Sequence, residues 1–217
     1  MAARGCLGNA GDTMARSCLR RLGETGGTPR GPERAARGTG MIRAMETWQA
    51  IDTLRVVRNF ATRPLDAAHL SRILRAGRRA GSSKNMQRRA FVVCRDRGHL
   101  AALASVGDYA GHLAGAAVGI AIVTPEPESP GQAAGIFYDV GLAAQNMSLA
   151  AWDLGIGSAP ATVYYQDVAR ELLGYPEGQR CDYVLSFGYP ADSSVLTAPK
   201  RPGGRRPLDE LVHEERW

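Results

Sequence analysis

Residues 80 to 87, Ala-Gly-Ser-Ser-Lys-Asn-Met-Gln, set Ser82, Ser83, Asn85 and Gln87 among small residues, between a helical pattern and a strand. Hydroxyls and amides at that density suit a polar ligand, because an amide such as Asn85 both donates and accepts. The same composition also makes an ordinary turn after a helix. Arginines stand near both ends of the following domain, Arg55 and Arg58 at its start and Arg205 and Arg206 near its end. A guanidinium fork matches phosphate geometry, although most arginines are solvated surface residues. A third stretch, Gly157-Ser158-Ala159-Pro160-Ala161-Thr162, is small enough for its backbone to approach a ligand closely, or is simply a helix end followed by a turn.

Other chemistries find no constellation. The cysteines Cys6, Cys18, Cys94 and Cys181 form no Cys-x-x-Cys pair, which argues against a zinc site or a disulfide framework and favours a reducing cytoplasm. Cys94 ends an apolar run and reads as a small core residue. His69, His99, His112 and His213 lie far apart with no motif joining them, and no Ser-His-Asp or Cys-His arrangement is present. His112 and Tyr109 follow a turn-like Gly107-Asp108 and are candidates to line a substrate mouth. The glycines of residues 115 to 119 are too few for a dinucleotide fingerprint.

The chain's net charge of +6 is unevenly placed. Residues 1 to 45 hold eight arginines against Asp12, Glu24 and Glu33, a net of +5, so residues 46 to 217 carry only +1. The basic balance belongs to the tail, and no nucleic-acid surface is inferred for the domain. That tail has no helical or alternating period and is expected to be a disordered basic extension, an organelle transit peptide, or sequence upstream of a natural start at Met41 or Met45. No apolar run approaches the roughly 20 residues of a membrane-spanning helix.

The elements that must position these residues alternate in type. Helical spacing predicts a short helix over 46 to 54 and a second after Asp66, a good N-cap, with Leu70, Ile73, Leu74 and Gly77 on one face and arginines on another. A strand is expected over 90 to 94, a short helix over 100 to 106 and a strand over 116 to 124. Pro125, Pro127 and Pro130 predict a loop. A long helix, apolar nearly all round and so buried on several sides, is expected over 132 to 154. Residues 156 to 160 read as irregular, 167 to 173 as a helix ended by Gly174, and 183 to 187 as the last strand. From Tyr189 onward the chain has no core of its own and is expected to lie across something else.

In order, Leu54-Arg55-Val56-Val57-Arg58-Asn59-Phe60, the Ser82 to Gln87 loop, Asp139-Val140-Gly141-Leu142-Ala143-Ala144-Gln145-Asn146-Met147 and Gly203-Gly204-Arg205-Arg206-Pro207-Leu208 resemble the FMN-dependent nitroreductase family, from about Met45 to the C-terminus. The family's first motif reads Arg-Arg-Ser-x-Arg-x-Phe, and here Leu54 and Val56 replace its first Arg and its Ser. In the loop Gly81, Arg88 and Arg89 replace Pro, Pro and Trp.

The resemblance implies an α+β fold, a mainly antiparallel sheet packed by helices, forming an intertwined homodimer with FMN in the crevice between subunits. It assigns Arg55, Val56 and Arg58, with Arg205 and Arg206, to the phosphate and ribityl chain. Ser82, Ser83, Asn85 and Gln87 would face the flavin ring, and Pro160, Ala161 and Thr162 would pass along its N5 and O4 edge. NADH or NADPH is the implied donor, and a nitroaromatic, quinone or similar small molecule the acceptor, by a ping-pong route with no catalytic side chain and no metal. The alternatives are a flavin-fragmenting or dehalogenating branch of the same fold, for which no lid motif is visible, and a non-catalytic flavin-binding protein.

Overall fold

Alternation along a central strand sets up the architecture. In the computed structural model, which describes residues 45–199 and 203–217, β2 (Val118–Pro125) points Ile120 and Ile122 to one face and Ala121 and Val123 to the other. Among the described residues, β1 (Ala90–Cys94), β2, β3 (Gly157–Thr162) and β4 (Gln179–Gly188) form one antiparallel sheet in the order β1-β2-β4-β3. Leu185 and Phe187 of β4 share the face of Ile120, where α2 (Ala67–Arg79) and α4 (Pro130–Asp153) cover them with Leu70, Ile73, Ile136, Val140 and Met147. On the opposite face α3 (Arg97–Leu103), α5 (Gln166–Leu173) and two 3-10 turns bring Leu100, Leu103, Val106, Leu113 and Ala169 onto Ala121 and Val184. The α+β fold with helices on an antiparallel sheet is therefore as expected.

Helix ends follow their caps. The Asp66 carboxylate accepts from the Ala68 N–H at 2.7 Å and starts α2, whose last turn holds Arg78 and Arg79 where cations suit the helix dipole. α1 (Thr47–Thr53) starts at Glu46, which caps Gln49 N–H.

Four expectations need correction. Pro130 does not lie in a loop but opens α4, where its missing N–H costs nothing, with the Ser129 hydroxyl capping Gln132 N–H. Asp96 caps α3 at His99 N–H, so that helix begins at Arg97, and residues 104–106 tighten into a 3-10 turn. Of the segment 156 to 160, expected to be irregular, residues 157 to 160 lie in β3, where pairing with β4 imposes the strand; Pro160 is tolerated because β3 is an edge strand. α4 packs on the sheet, α2 and α1, with Trp152 donating to Thr53 of α1, but its remaining side is not covered and leaves Phe137 and Tyr138 exposed. The expected basic extension falls outside the described residues apart from Met45, whose N–H donates to Asp153.

Candidate functional site

The segment after α1 is laid against the free edge of β3. Val57 N–H donates to Ser158 O at 2.9 Å, a parallel bridge joins Val56 to Ser158, and Ala61 N–H and Ala191 N–H extend the contact to the chain leaving β4. Two glycines paired across β3 and β4 admit it. A Cβ on Gly157 would lie 2.5 Å from Val57 Cβ, and one on Gly188 would lie 2.8 Å from the Phe60 ring. This docking carries Arg55, Val56 and Arg58 past Ser158 and Pro160.

Between that segment, β3 and α4 opens a cleft of about 1260 Å³. Five of the residues singled out in the sequence meet there: Arg55, Val56, Arg58, Pro160 and Arg205. α4 adds Gln145 and Ser148, β3 adds the Ser158 side, and α1 adds the apolar walls of Trp48 and Ile51. Arg55 donates to the Ala198 carbonyl, and Arg205 donates to Gly204 O at 2.8 Å. Arg58 makes no hydrogen bond or ion pair among the described residues and is exposed. Guanidinium groups, an amide, hydroxyls and an apolar wall in one cleft fit a ligand with a phosphate and a planar polar ring.

The polar loop lies elsewhere. Ser82 and Ser83 line a separate hollow of about 430 Å³ with Gly135, Tyr138 and Asp139 of α4, and share no lining residue with the cleft. Ser83 N–H donates to both Asp139 carboxylate oxygens at 2.9 and 3.1 Å, Gln87 N–H to Ser82 Oγ at 3.0 Å, and Gln87 Nε2 to Asn85 Oδ1 at 3.2 Å. Lys84, Asn85 and Gln87 all have positive φ, at 51°, 55° and 50°, a conformation that side chains other than glycine adopt only when their surroundings enforce it. Arg89 helps to enforce it by donating to the Ala80 and Gly81 carbonyls.

The remaining candidates scatter. Ala161 is buried in the α3/α5 core while Thr162 is exposed at the strand end. Arg206 is held by Glu210 at 3.1 Å. Tyr109 is exposed, and His112 turns inward to Ser186 Oγ at 2.8 Å, so the two do not form one mouth. Sequence reasoning missed Gln145, Ser148, Trp48 and Ile51 as cleft residues and gave Asp139 no role. A lone acid in an otherwise apolar stretch of helix was the available signal for Asp139.

Burial pushes the Cys94 thiol up and the Cys181 thiol up to about 12, so neither is a nucleophile near neutral pH. Among the described residues no cluster of His, Cys, Asp or Glu could hold a metal ion, and no helix is long and apolar enough to cross a membrane.

Known proteins resemble this chain over most of its length. The family model for the nitroreductase family matches residues 51–110 and 102–189. A protein from Archaeoglobus fulgidus named as an NADH dehydrogenase/NAD(P)H nitroreductase is 31% identical over 79% of this chain and 99% of its own. A crystal structure from Bacteroides thetaiotaomicron, under the same name, superposes with a TM-score of 0.68 at 26% identity, covering 79% of this chain and 98% of the other. The NADPH:FMN oxidoreductase of Vibrio harveyi, complexed with NAD+, gives a TM-score of 0.69 at 24% identity over 79% of this chain and 77% of that one, a likeness of fold.

Proposed function

The chain belongs to the nitroreductase family, and on that premise we propose that it is an FMN-dependent oxidoreductase taking electrons from NADH or NADPH and passing them to a nitroaromatic, quinone or similar small acceptor. The observation that carries this reading is the convergence of Arg55, Arg58, Pro160 and Arg205, from three separate stretches of chain, on one cleft beside an edge strand.

FMN, when bound, supplies the two-electron chemistry, and the protein supplies orientation and electrostatics. Arg55, Arg58 and Arg205, with Ser158, would hold the phosphate of FMN. Gln145, able to donate and accept, would address the polar edge of the ring. The small side chains along β3 would let its backbone come close enough for N–H groups to favour the reduced, more negative ring. Donor and acceptor use the same place in turn, and no side chain acts as nucleophile.

The polar loop lines a hollow separate from the cleft of its own chain, so on this reading it contributes only if a second copy brings its loop to the cleft of the first. A homodimer with its sites between subunits meets that need. Exposed Trp48 and Ile51 at the cleft and Tyr138 at the hollow, with Phe137 next to it in α4, support it.

An absorption spectrum of the purified protein, recorded before and after anaerobic addition of NADH or NADPH, tests the proposal. The expected result is a flavin spectrum that bleaches with donor and returns with acceptor. Flavin that binds but does not bleach would favour a non-catalytic flavin carrier, and a colourless protein that FMN cannot reconstitute would end the reading.

A further inference from the structure

His112 lies on the face of the sheet away from α4, brought there by the 3-10 turn Gly111–Leu113. Its Nδ1 is 2.8 Å from Ser186 Oγ, and the Ser186 hydroxyl is 3.2 Å from the Ala159 carbonyl. Ser186 Oγ thus bridges the ring to the Ala159 carbonyl, and the ring also donates to the Pro160 carbonyl. A ring held by a hydroxyl on one side and a backbone carbonyl on the other is placed by its polar contacts, so packing alone does not account for a histidine here.

The ring's other neighbours belong to the cleft. The Pro160 carbonyl lies beside it, and the charge of Arg58 acts on it. Both residues line the cleft. The imidazole thus reaches two consecutive residues of β3, Ala159 through Ser186 and Pro160 directly, from behind the strand whose outer side meets the ligand space.

We propose that His112 is a positioning residue for the cofactor: through Ser186 it fixes the Ala159–Pro160 backbone against which the flavin lies. This rests on the assignment of FMN to the cleft. The chemistry itself does not pass through His112, which touches strand backbone and a serine but no reacting atom.

The test compares full-length wild type with His112→Ala, His112→Gln, Ser186→Ala and the Ala/Ala double variant. Three quantities are read: amide hydrogen exchange over residues 157–162 without cofactor, FMN affinity by fluorescence quenching, and the visible spectrum of bound FMN. In His112→Ala exchange over β3 should quicken, affinity should fall about tenfold and the flavin bands should shift. Glutamine, whose amide can donate to Ser186, should restore all three, and the double variant should bind no more weakly than His112→Ala. A folded His112→Ala with wild-type affinity and spectrum overturns the proposal, as does a loss that glutamine leaves unrepaired. Should His112→Ala not fold, Ser186→Ala decides: shifted bands support the tether, and unchanged bands with unchanged exchange refute it. A wild-type chain that binds no FMN sinks the cofactor reading instead, a failure told apart because the exchange comparison needs no cofactor.

Discussion

Arg58 and Arg206 were equivalent candidates in the sequence, and their surroundings separate them. Arg58 faces the cleft with its guanidinium uncommitted, whereas Arg206 is engaged by the carboxylate and carbonyl of Glu210. Charge-assisted bonds contribute roughly 1.5 to 3 kcal/mol each, so Arg58→Ala is expected to weaken FMN binding at least about tenfold. Arg206→Ala should weaken it several times less, and a calorimetric titration of the two variants orders them. An equal loss would show that Arg206 leaves Glu210 to reach the cofactor. His112 gives a second residue-scale expectation. Burial, and then the charge of Arg58, lower its pKa below 6.5, with the Pro160 carbonyl opposing. In the unfolded chain the ring protonates near its ordinary value while the folded chain still resists, so the stability of the neutral ring is complete above about pH 6.5 and is lost as pH falls through the lower folded pKa. Between about pH 7 and pH 5 the melting temperature of the wild type should therefore drop further than that of His112→Gln.

At the scale of elements, the contact between the 54–61 segment and β3 is where the fold places the arginines, and Gly157 permits it. An alanine methyl there would meet Val57 Cβ at 2.5 Å, and neither a strand paired on its other side nor a buried valine can retreat far. Gly157→Ala is expected to cost about 1 to 3 kcal/mol and to weaken FMN binding as well, by displacing Arg55 and Arg58. Pairing it with Val57→Ala should recover part of both, as urea denaturation and flavin titration would show. The loop has its own fastening. Removing the Asp139 carboxylate in Asp139→Ala leaves Ser83 N–H unpaired, so exchange should rise over residues 82–87 while the 54–61 segment is unchanged. The same elements show what could be read beforehand. α2 was legible because Asp66, the apolar spacing and the arginines all agree, and β1 because Phe91, Val92 and Val93 are aromatic or β-branched. β3 was not: Gly-Ser-Ala-Pro has no strand propensity, and only its pairing with β4 makes it one. Pro130 misled for the opposite reason, since a helix's first turn accepts the residue that its interior rejects.

For the whole molecule, the order of the motifs along the chain was legible, but their distances in space were not. Arg55, Arg58, Arg205 and Pro160 reach one cleft, while Ser82 and Ser83 of the polar loop line a different hollow, a separation that composition and spacing do not encode. The surface points to what joins them. Trp48 and Tyr138 are 68% and 69% exposed beside the two openings, and the C-terminal arm carries Leu208, Leu211, Val212 and Trp217 into solvent, the last at 99%. Trp217 lies beside the His213 ring, at 4.3 Å between centroids. Exposed apolar side chains on α1, α4 and the arm are what the proposed contact between two copies would bury. Burying each such side chain contributes roughly 1.5 to 3 kcal/mol, enough for association and folding to become one equilibrium. The chain is therefore expected to sediment as a dimer at low micromolar concentration, and to unfold at a temperature that rises with protein concentration. A chain ending at Tyr189 loses Arg205 together with the arm's apolar side chains, and should dissociate, lose flavin or become insoluble. Arg205→Ala separates the two causes, since it should bind FMN weakly yet remain dimeric. A folded monomer that keeps its flavin, in the full chain or the shortened one, would show that the arm lies on its own subunit and that a single chain completes the site.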